Sequence, residues 1–290
     1  MSLRIFVAVA TVGRAEVTRR TIDRLSLQTR RPDGVVVVGA QPSDIEGVST
    51  ASVDPECALS ERGLCNQRNR ALDMIGDRAD VVIFFDDDFV AATDFIEQTD
   101  QLFSTRPEIV GATGRVIADG VHHEGYTVDE AIALIAQDTP PPPYERPRES
   151  LYGCNMIVRM SAVDGLRFDP VLPLYGWQED VDFTYQVGQR GSMVQPSQLR
   201  GVHMGAKGGR TAGKRLGYSQ IANPIYLLRK RTIPPKLARR IMWRNTAANL
   251  ARSLKPEAHI DRRGRAWGNM IAFAHLATGK LDPRHILDMR

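Results

Sequence analysis

Residues 81–89 read Val-Val-Ile-Phe-Phe-Asp-Asp-Asp-Phe, five apolar residues that end against three consecutive carboxylates. β-Branched and aromatic side chains without polar alternation describe a strand buried on both faces, as in a parallel sheet covered by helices. Asp86, Asp87 and Asp88 stand where that strand emerges, and ligands of open α/β sheets bind outside the carboxyl ends of the strands. In an extended segment Asp86 and Asp88 share a side, so one can take a hard divalent cation and the other a ribose hydroxyl. The competing reading is an acidic turn that ends a strand, since Asp is common in turns. The strand context favours a ligand site.

The chain of 290 residues is long enough for one large α/β domain or two small ones. It has no apolar run of about 18 residues and no charged-then-apolar leader, so the cytoplasm is the expected location. Cys57, Cys65 and Cys154 lack CxxC spacing and are expected to be reduced, buried thiols. The net charge of +4 hides an asymmetry: residues 1–199 hold 18 Arg and 30 Asp and Glu, net −12, whereas residues 200–290 hold 20 Lys and Arg against 4 acids, net +16. Every Lys lies in the second part. An acidic body followed by a basic tail suggests that the tail meets phosphates on a nucleotide, a lipid or a nucleic acid.

Outward from the central strand, residues 4–10 predict a first strand and Thr11–Arg14 a turn. A helix follows, with Glu16 in its first turn and Val17, Thr21, Ile22 and Leu25 at helical spacing. Arg30–Gly34 breaks that helix and Val35–Val38 predicts a second buried strand. The resulting βαβ unit turns Thr11, Arg14, Gly39 and Gln41 toward the edge that holds the aspartates. A helix over 62–75 opens Asn66, Arg68 and Asn69 toward the strand ends, although surface arginines commonly form a solvated face. Another helix runs from about Thr93 to Phe103, capped by Thr93 or Asp94. Short strands are expected at 109–112 and 115–118 and a weaker helix near 128–136. Pro140–Pro143 favours polyproline II in a stiff spacer or flap. His122-His123-Glu124 lacks ligand spacing and reads as an ordinary loop.

Leu151–Arg159 predicts a strand containing Gly153-Cys154-Asn155. Pro173-Leu-Tyr-Gly-Trp-Gln-Glu-Asp-Val-Asp182 then offers the flat face of Trp177 and crowds Glu179, Asp180 and Asp182 at a helix start that runs to Gln189. Capping explains one acid of that cluster well and three poorly. Ser192–Val194 and Leu199–Met204 predict a strand pair, the second strand delivering His203 ahead of the basic loop Gly205–Arg210. Helices are expected over 221–231, 236–254 and 267–277. The middle one is strongly basic, with Leu237, Ile241, Met242 and Leu250 on an apolar stripe.

Taken together these residues resemble an inverting glycosyltransferase of family 2 with the GT-A fold, over residues 4–232. The elements are Thr11–Gln28, Arg62-Gly63 through Arg68-Asn69, Phe84–Asp88, Gly153-Cys154-Asn155, Trp177–Asp180, and His203 with Gly208-Gly209-Arg210. The resemblance implies an α/β, Rossmann-like, mostly parallel sheet with helices on both faces plus a basic C-terminal helical extension. Its implied parts are a nucleotide-sugar-binding half (1–115), an acceptor-binding half of the same domain (116–205), and the basic loop with its helices (206–290). It implies nucleotide-sugar contacts from Thr11, Arg14, Glu16, Gln41, Arg68, Asp86, Asp87, Lys207 and Arg210, and a Mg²⁺ or Mn²⁺ ion on Asp88 and His203. Asp180 corresponds to the catalytic base, with Trp177, Glu179 and Asn155 near the acceptor. Many relatives place an Asp just after the second strand to contact the base; Gly39-Ala40-Gln41 stands there instead.

The expected reaction moves a sugar from a nucleotide-diphosphate sugar, a UDP-sugar first, to a hydroxyl of a saccharide or lipid-linked saccharide, in polysaccharide or glycolipid assembly. The metal neutralises the departing diphosphate, aided by Lys207 and Arg210, while Asp180 deprotonates the acceptor. Two other classes stay open. Nucleotidyl transfer also uses Asp-x-Asp metal sites, although Thr11-Val-Gly-Arg14 is not a phosphate loop. A nucleic-acid or membrane-binding module would use the basic tail, but has no use for a buried strand ending in three aspartates. No nucleic-acid partner is expected. Peripheral attachment to the inner face of the plasma membrane through 236–254 competes with simple docking of that helix on the body.

Overall fold

The computed structural model describes residues 2–122, 124–206, 212–257 and 260–289. They form two compact units, one of residues 1–62, 66–167 and 186–209, the other of residues 63–65, 168–185 and 210–290. These units cut across boundaries at 115 and 205, because the segment around Asp180 packs with the C-terminal helices.

The first unit is built on an eight-stranded sheet. In chain order its strands are β1 (Ile5–Ala10), β2 (Gly34–Gly39), β3 (Glu56–Leu59), β4 (Val81–Asp86), β6 (Ile109–Thr113), β8 (Glu145–Pro147), β9 (Asn155–Arg159) and β10 (Ser192–Pro196). Their spatial order is β3-β2-β1-β4-β9-β6-β10-β8, with β9 and β8 antiparallel to their neighbours and the others parallel. β1 lies opposite both β2 and β4, Val7 facing Val35 and Ile83, which buries the Val- and Ile-rich runs of both. Helices α1 (Ala15–Asp23), α2 (Leu64–Ile75), α3 (Phe95–Thr105) and α4 (Val128–Gln137) follow strands in the expected alternation. Asp94 stands at the N-cap of α3 without a side-chain bond, whereas Thr127 and Glu130 form a reciprocal capping box that starts α4.

A second sheet holds β5 (Phe89–Ala91), β7 (Arg115–Asp119) and β11 (Arg200–His203) in the order β5-β11-β7. The expected pairing of 192–194 with 199–204 does not occur. Pro196 closes β10 against β8 in the large sheet, and the chain then crosses to the small sheet. β6 and β7 divide the same way at Gly114, where a Cβ would lie 2.9 Å from the Leu199 carbonyl. Phe85, Phe89 and Phe95 cluster with centroids 5.2 to 6.2 Å apart, so the turn between β4 and β5 is pinned from below. Gln28 braces the same region, donating to Ala92 O and accepting from Ile96 N at 2.7 and 3.0 Å.

The second unit contains the start of α5 (Glu179–Gly188) and the helices α6 (Gly213–Lys230), α7 (Pro235–Ser253) and α8 (Arg262–Ala277). Its core gathers Tyr218, Ile221, Ala222, Met242 and Ala272. α6 and α8 begin earlier than expected, at Gly213 and just after the Asp261 cap, and Gly217 and Gly268 are contact points between them. A Cβ on Gly268 would lie 2.0 Å from Lys214 O, so the helices meet backbone to backbone. Asn249 donates to Gln220 at 2.7 Å and to Asn269 at 3.0 Å, a buried polar seam joining α7 to both neighbours. The apolar stripe expected on α7 divides: Met242 is in the core and Leu250 is exposed.

Candidate active site

Three ligand atoms converge at the carboxyl end of β4. Asp86, Asp88 and His203 each offer one atom within 4.8 Å of the others. Each is positioned by its remaining polar atom. Asp86 Oδ1 receives Arg68 Nη2 at 3.1 Å, and that buried guanidinium also donates to Gly153 O at 2.8 Å. Asp88 Oδ2 accepts the Ala206 amide at 2.7 Å and Arg14 Nη1 at 3.1 Å. His203 Nδ1 meets Asp119 Oδ1 at 3.1 Å, while Tyr152 donates its hydroxyl to Asp119 Oδ2 at 2.9 Å. His203 Nε2 therefore faces Asp88 Oδ1 at 3.3 Å and Asp86 Oδ2 at 3.7 Å.

The electrostatics follow from burial set against these partners. Burial disfavours the imidazolium of His203, but Asp119 and Asp88, with Asp86, hold its pKa up at about 10. Burial also works against ionised Asp119, yet bonding to His203 brings its pKa down to about 2. For Asp88 the pull of His203, Arg14 and the Ala206 amide outweighs burial and keeps the carboxyl below its ordinary value. Asp87 is the exception: fully buried and 2.7 Å from Arg14, it is pushed up to about 7, chiefly by burial, with Arg14 opposing. Two carboxylates and an imidazole nitrogen, all with their other polar atoms engaged, fit a divalent cation such as Mn²⁺ or Mg²⁺.

The first βα turn borders this cluster. Thr11 is buried and shares a 2.8 Å hydrogen bond with Thr18, and Gln67 donates to the carbonyls of Thr11 and Val38, both at 2.8 Å. Arg68, for which a solvated face was the alternative, is buried. Glu16 is exposed and paired with Arg19 at 2.9 Å, which lowers its pKa. Gln41 is exposed. The carboxylate of that loop is Asp44, fully buried, accepting the amides of Gly13, Ala40 and Gln41 at 2.8, 2.9 and 3.0 Å. Asn155 is fully buried as well; its Oδ1 accepts Thr113 Oγ1 at 2.5 Å and Gly114 N at 3.1 Å, bracing β9 to the end of β6 and away from solvent. Lys207, Arg210 and His123 lie outside the described residues.

In the second unit, the loop before α5 takes left-handed backbone at Leu174, Gly176 and Gln178, with φ of +56°, +60° and +72°. Such conformations cost energy on non-glycine residues and concentrate at functional loops. They are held in place. Leu64 N donates to Leu174 O at 2.8 Å, and Asn223 Nδ2 donates to Trp177 O at 2.7 Å. Trp177 and Asp180 emerge half-buried, while Glu179 and Asp182 are buried. Asp180 Oδ1 accepts the Val181 amide at 2.8 Å, in the first turn of α5. Behind it Lys230 Nζ lies 2.7 Å from both Asp169 and Asp182, and Tyr226 donates to Asp169 at 2.7 Å.

Asp119, Tyr152, Asp44 and Lys230 escape a reading of the sequence. Asp119 reaches His203 because β7 and β11 pair in parallel with these two residues opposite each other, and no local pattern announces that register. Asp44 does carry a signal, as the fourth residue of a Gln41-Pro-Ser-Asp44 turn, where its side chain reaches back to the amide of the capping Gln41.

No family model and no curated protein matches this sequence. Among solved structures the chain is similar to a mannosyltransferase from Pyrobaculum calidifontis in complex with GDP-Man and Mn²⁺, at 15% identity over 99% of this chain and 86% of that one, TM-score 0.55. It is similar to residues 1–349 of S. aureus TarS at 13% identity over 98% and 90% of the two chains, TM-score 0.56. GalNAc-T7 with UDP, GalNAc and Mn²⁺ matches at 16% identity and TM-score 0.52, over 82% of this chain and 53% of its own. The shared architecture is the GT-A fold.

Proposed function

We propose that the chain is a metal-dependent, inverting glycosyltransferase of family 2. In this reading it moves a sugar from a nucleotide-diphosphate sugar, a UDP-sugar first, to a hydroxyl of a saccharide or lipid-linked saccharide, in polysaccharide or glycolipid assembly. The observation that carries the reading is the convergence of Asp86, Asp88 and His203 at a strand end of a GT-A fold. Asp88 and His203, with Asp86 alongside, would hold Mn²⁺ or Mg²⁺, which supplies Lewis acidity toward the diphosphate.

The chain's own residues then divide the work. Arg68 and Asp86 take the ribose side, and Arg14, pinned between Asp87 and Asp88, is the cation at the phosphate side. Thr11 and Gln41 line the nucleotide, and Glu16 stands at its periphery; Lys207 and Arg210 are assigned to the diphosphate by residue type. Asp180 accepts the proton of the attacking hydroxyl, which inversion by single displacement requires. Trp177 and Glu179 position the acceptor. Asn155 serves by bracing β9 and not by touching substrate.

Thermal denaturation with UDP-, GDP- and dTDP-sugars, with and without Mn²⁺, tests the reading, because a ligand of the folded state raises the melting temperature by mass action. A nucleotide-sugar shift that needs Mn²⁺ is expected. Asp88→Asn is expected to lose the Mn²⁺-dependent shift, read against its own metal-free melting temperature, and to lose turnover, since a neutral amide cannot replace a hard anionic ligand. Mn²⁺-dependent activity surviving in that variant refutes the metal assignment.

A further inference from the structure

Two helices of the C-terminal unit leave large apolar side chains in solvent. On α7, Trp243 is 62%, Leu250 51% and Leu254 86% exposed, and on α8 Trp267 is 54% and Met270 49% exposed. Residues 243, 247, 250, 251 and 254 recur with the spacing of one helix face, all of them exposed. The Trp243 ring stacks on Phe273 with centroids 6.0 Å apart, which joins the exposed edges of α7 and α8. Around this face Lys236, Arg239, Arg240, Arg244, Lys255 and Arg263 are exposed. Between residues 231 and 281 the only acids are Glu257 and Asp261, and both are engaged. Glu257 pairs with Arg252 and Arg262, and Asp261 caps α8 through Gly264 N at 2.7 Å.

Apolar side chains clustered in this way mark an interaction surface, and the charge around them selects the partner. A second copy docking face to face would set the same cations against each other. A nucleic acid would meet the arginines, but gives no burial to Leu250, Leu254 and Met270. An anionic lipid surface satisfies both groups: tryptophan prefers the boundary between headgroups and acyl chains, and basic residues are drawn to the negative leaflet. Among the described residues no helix is long and apolar enough to cross a membrane.

We propose that α7 and α8 form a face that lies on anionic lipid, with Trp243, Leu250, Leu254, Trp267 and Met270 entering the headgroup boundary while the flanking cations meet lipid phosphates. Of the apolar stripe legible in the sequence, Met242 is used in the core, whereas Leu250 belongs to the exposed row.

Co-sedimentation of the full chain with phosphatidylcholine vesicles, with or without phosphatidylglycerol, tests this. Binding is expected only with the anionic lipid, with a blue shift of tryptophan emission and quenching by brominated acyl chains. Trp243→Ser combined with Trp267→Ser, at an unchanged melting temperature, is expected to lower partitioning about tenfold or more. Arg239→Glu and Arg240→Glu are each expected to lower it about fivefold, the equivalent of ~1 kcal/mol. Absence of binding at low salt overturns the proposal, as does binding that survives loss of both tryptophans. A tryptophan-dependent dimer in light scattering, or salt-sensitive RNA retention without vesicle binding, overturns it in favour of the other occupants. If the double variant fails to fold, absence of bromolipid quenching in the wild type is decisive by itself. The outcome is separable from the donor chemistry, because a failed vesicle assay leaves the nucleotide-sugar thermal shifts untouched.

Discussion

Every ligand atom at the end of β4 is aimed by a group behind it, and the strongest test at the residue scale removes one of those groups. Asp119→Asn leaves all three proposed ligands in place but no longer fixes which nitrogen of His203 faces the carboxylates. Partners of this kind typically change metal affinity about 10- to 100-fold, so Mn²⁺ titration should show that loss when each shift is read against the variant's own metal-free melting temperature. Unaltered Mn²⁺ affinity would remove Asp119 from the site. Asp180→Asn is expected to lower turnover about a hundredfold or more, the scale of a lost general base, with the donor dissociation constant preserved. If donor affinity falls along with the rate, Asp180 is a donor ligand. Asp86, Asp88 and His203 were legible because Asp86 and His203 end strands with strong local signal and Asp88 stands in the turn that follows β4. Asp119 was not, since its partner is fixed by strand register over 84 residues of chain, nor was Tyr152, which meets His203 from a loop 51 residues away.

At the scale of elements, the position of α5 depends on Lys230 bridging Asp169 and Asp182. Lys230→Met leaves two carboxylates in a largely buried place without their cation. Because the lysine keeps some exposure, the cost is set at about 2 kcal/mol, below the full penalty of a broken buried pair, measurable by urea unfolding. The pH dependence has a definite shape. Asp169 lies below its usual 3.8, burial being outweighed by Lys230 and Tyr226, so its contribution is present above that pH and is lost as the pH falls through the folded value. Lys230 is raised above 10.5 against the pull of burial, so its contribution is full below that pH and lost as the pH rises through the folded value. Asp182, raised mainly by burial, acts in the opposite sense and trims the gain above pH 3.8. The stability difference between wild type and Lys230→Met should thus grow as Asp169 and then Asp182 ionise, and decline again as the pH rises past 10.5. A difference that is flat across pH would show that the lysine contributes packing alone. Helix positions were readable where periodicity carried them, as in α1 and α3. They failed at the starts of α6 and α8, where Gly213, Gly217 and Gly264 lower helix propensity although the helices form.

For the whole molecule, charge along the chain suggested an acidic body with an appended basic tail. The tail is no appendage. Residues 168–185 belong to its unit, and the bonds from Asn223, Tyr226 and Lys230 to Trp177, Asp169 and Asp182 span 46 to 61 residues, a relation that no linear count of charge can reveal. A chain truncated after residue 206 is therefore expected to aggregate or to bind hydrophobic dyes, as judged by gel filtration and fluorescence. A monomeric truncated form with a cooperative melt would refute that dependence.

The discontinuity also bears on how such a chain can be recombined. Crossover points chosen by the +16 tail would carry away α6, α7 and α8 but leave behind the strained loop at 174–178 that they hold in shape. A graft that moves 63–65 and 168–185 together with 210–290 would transplant the complete unit, including its exposed tryptophans and the proposed base. With the proposed acceptor role of Trp177, Glu179 and Asp180, the two kinds of chimera are expected to inherit different traits: the shorter graft neither parent's acceptor preference, the longer one that of its donor.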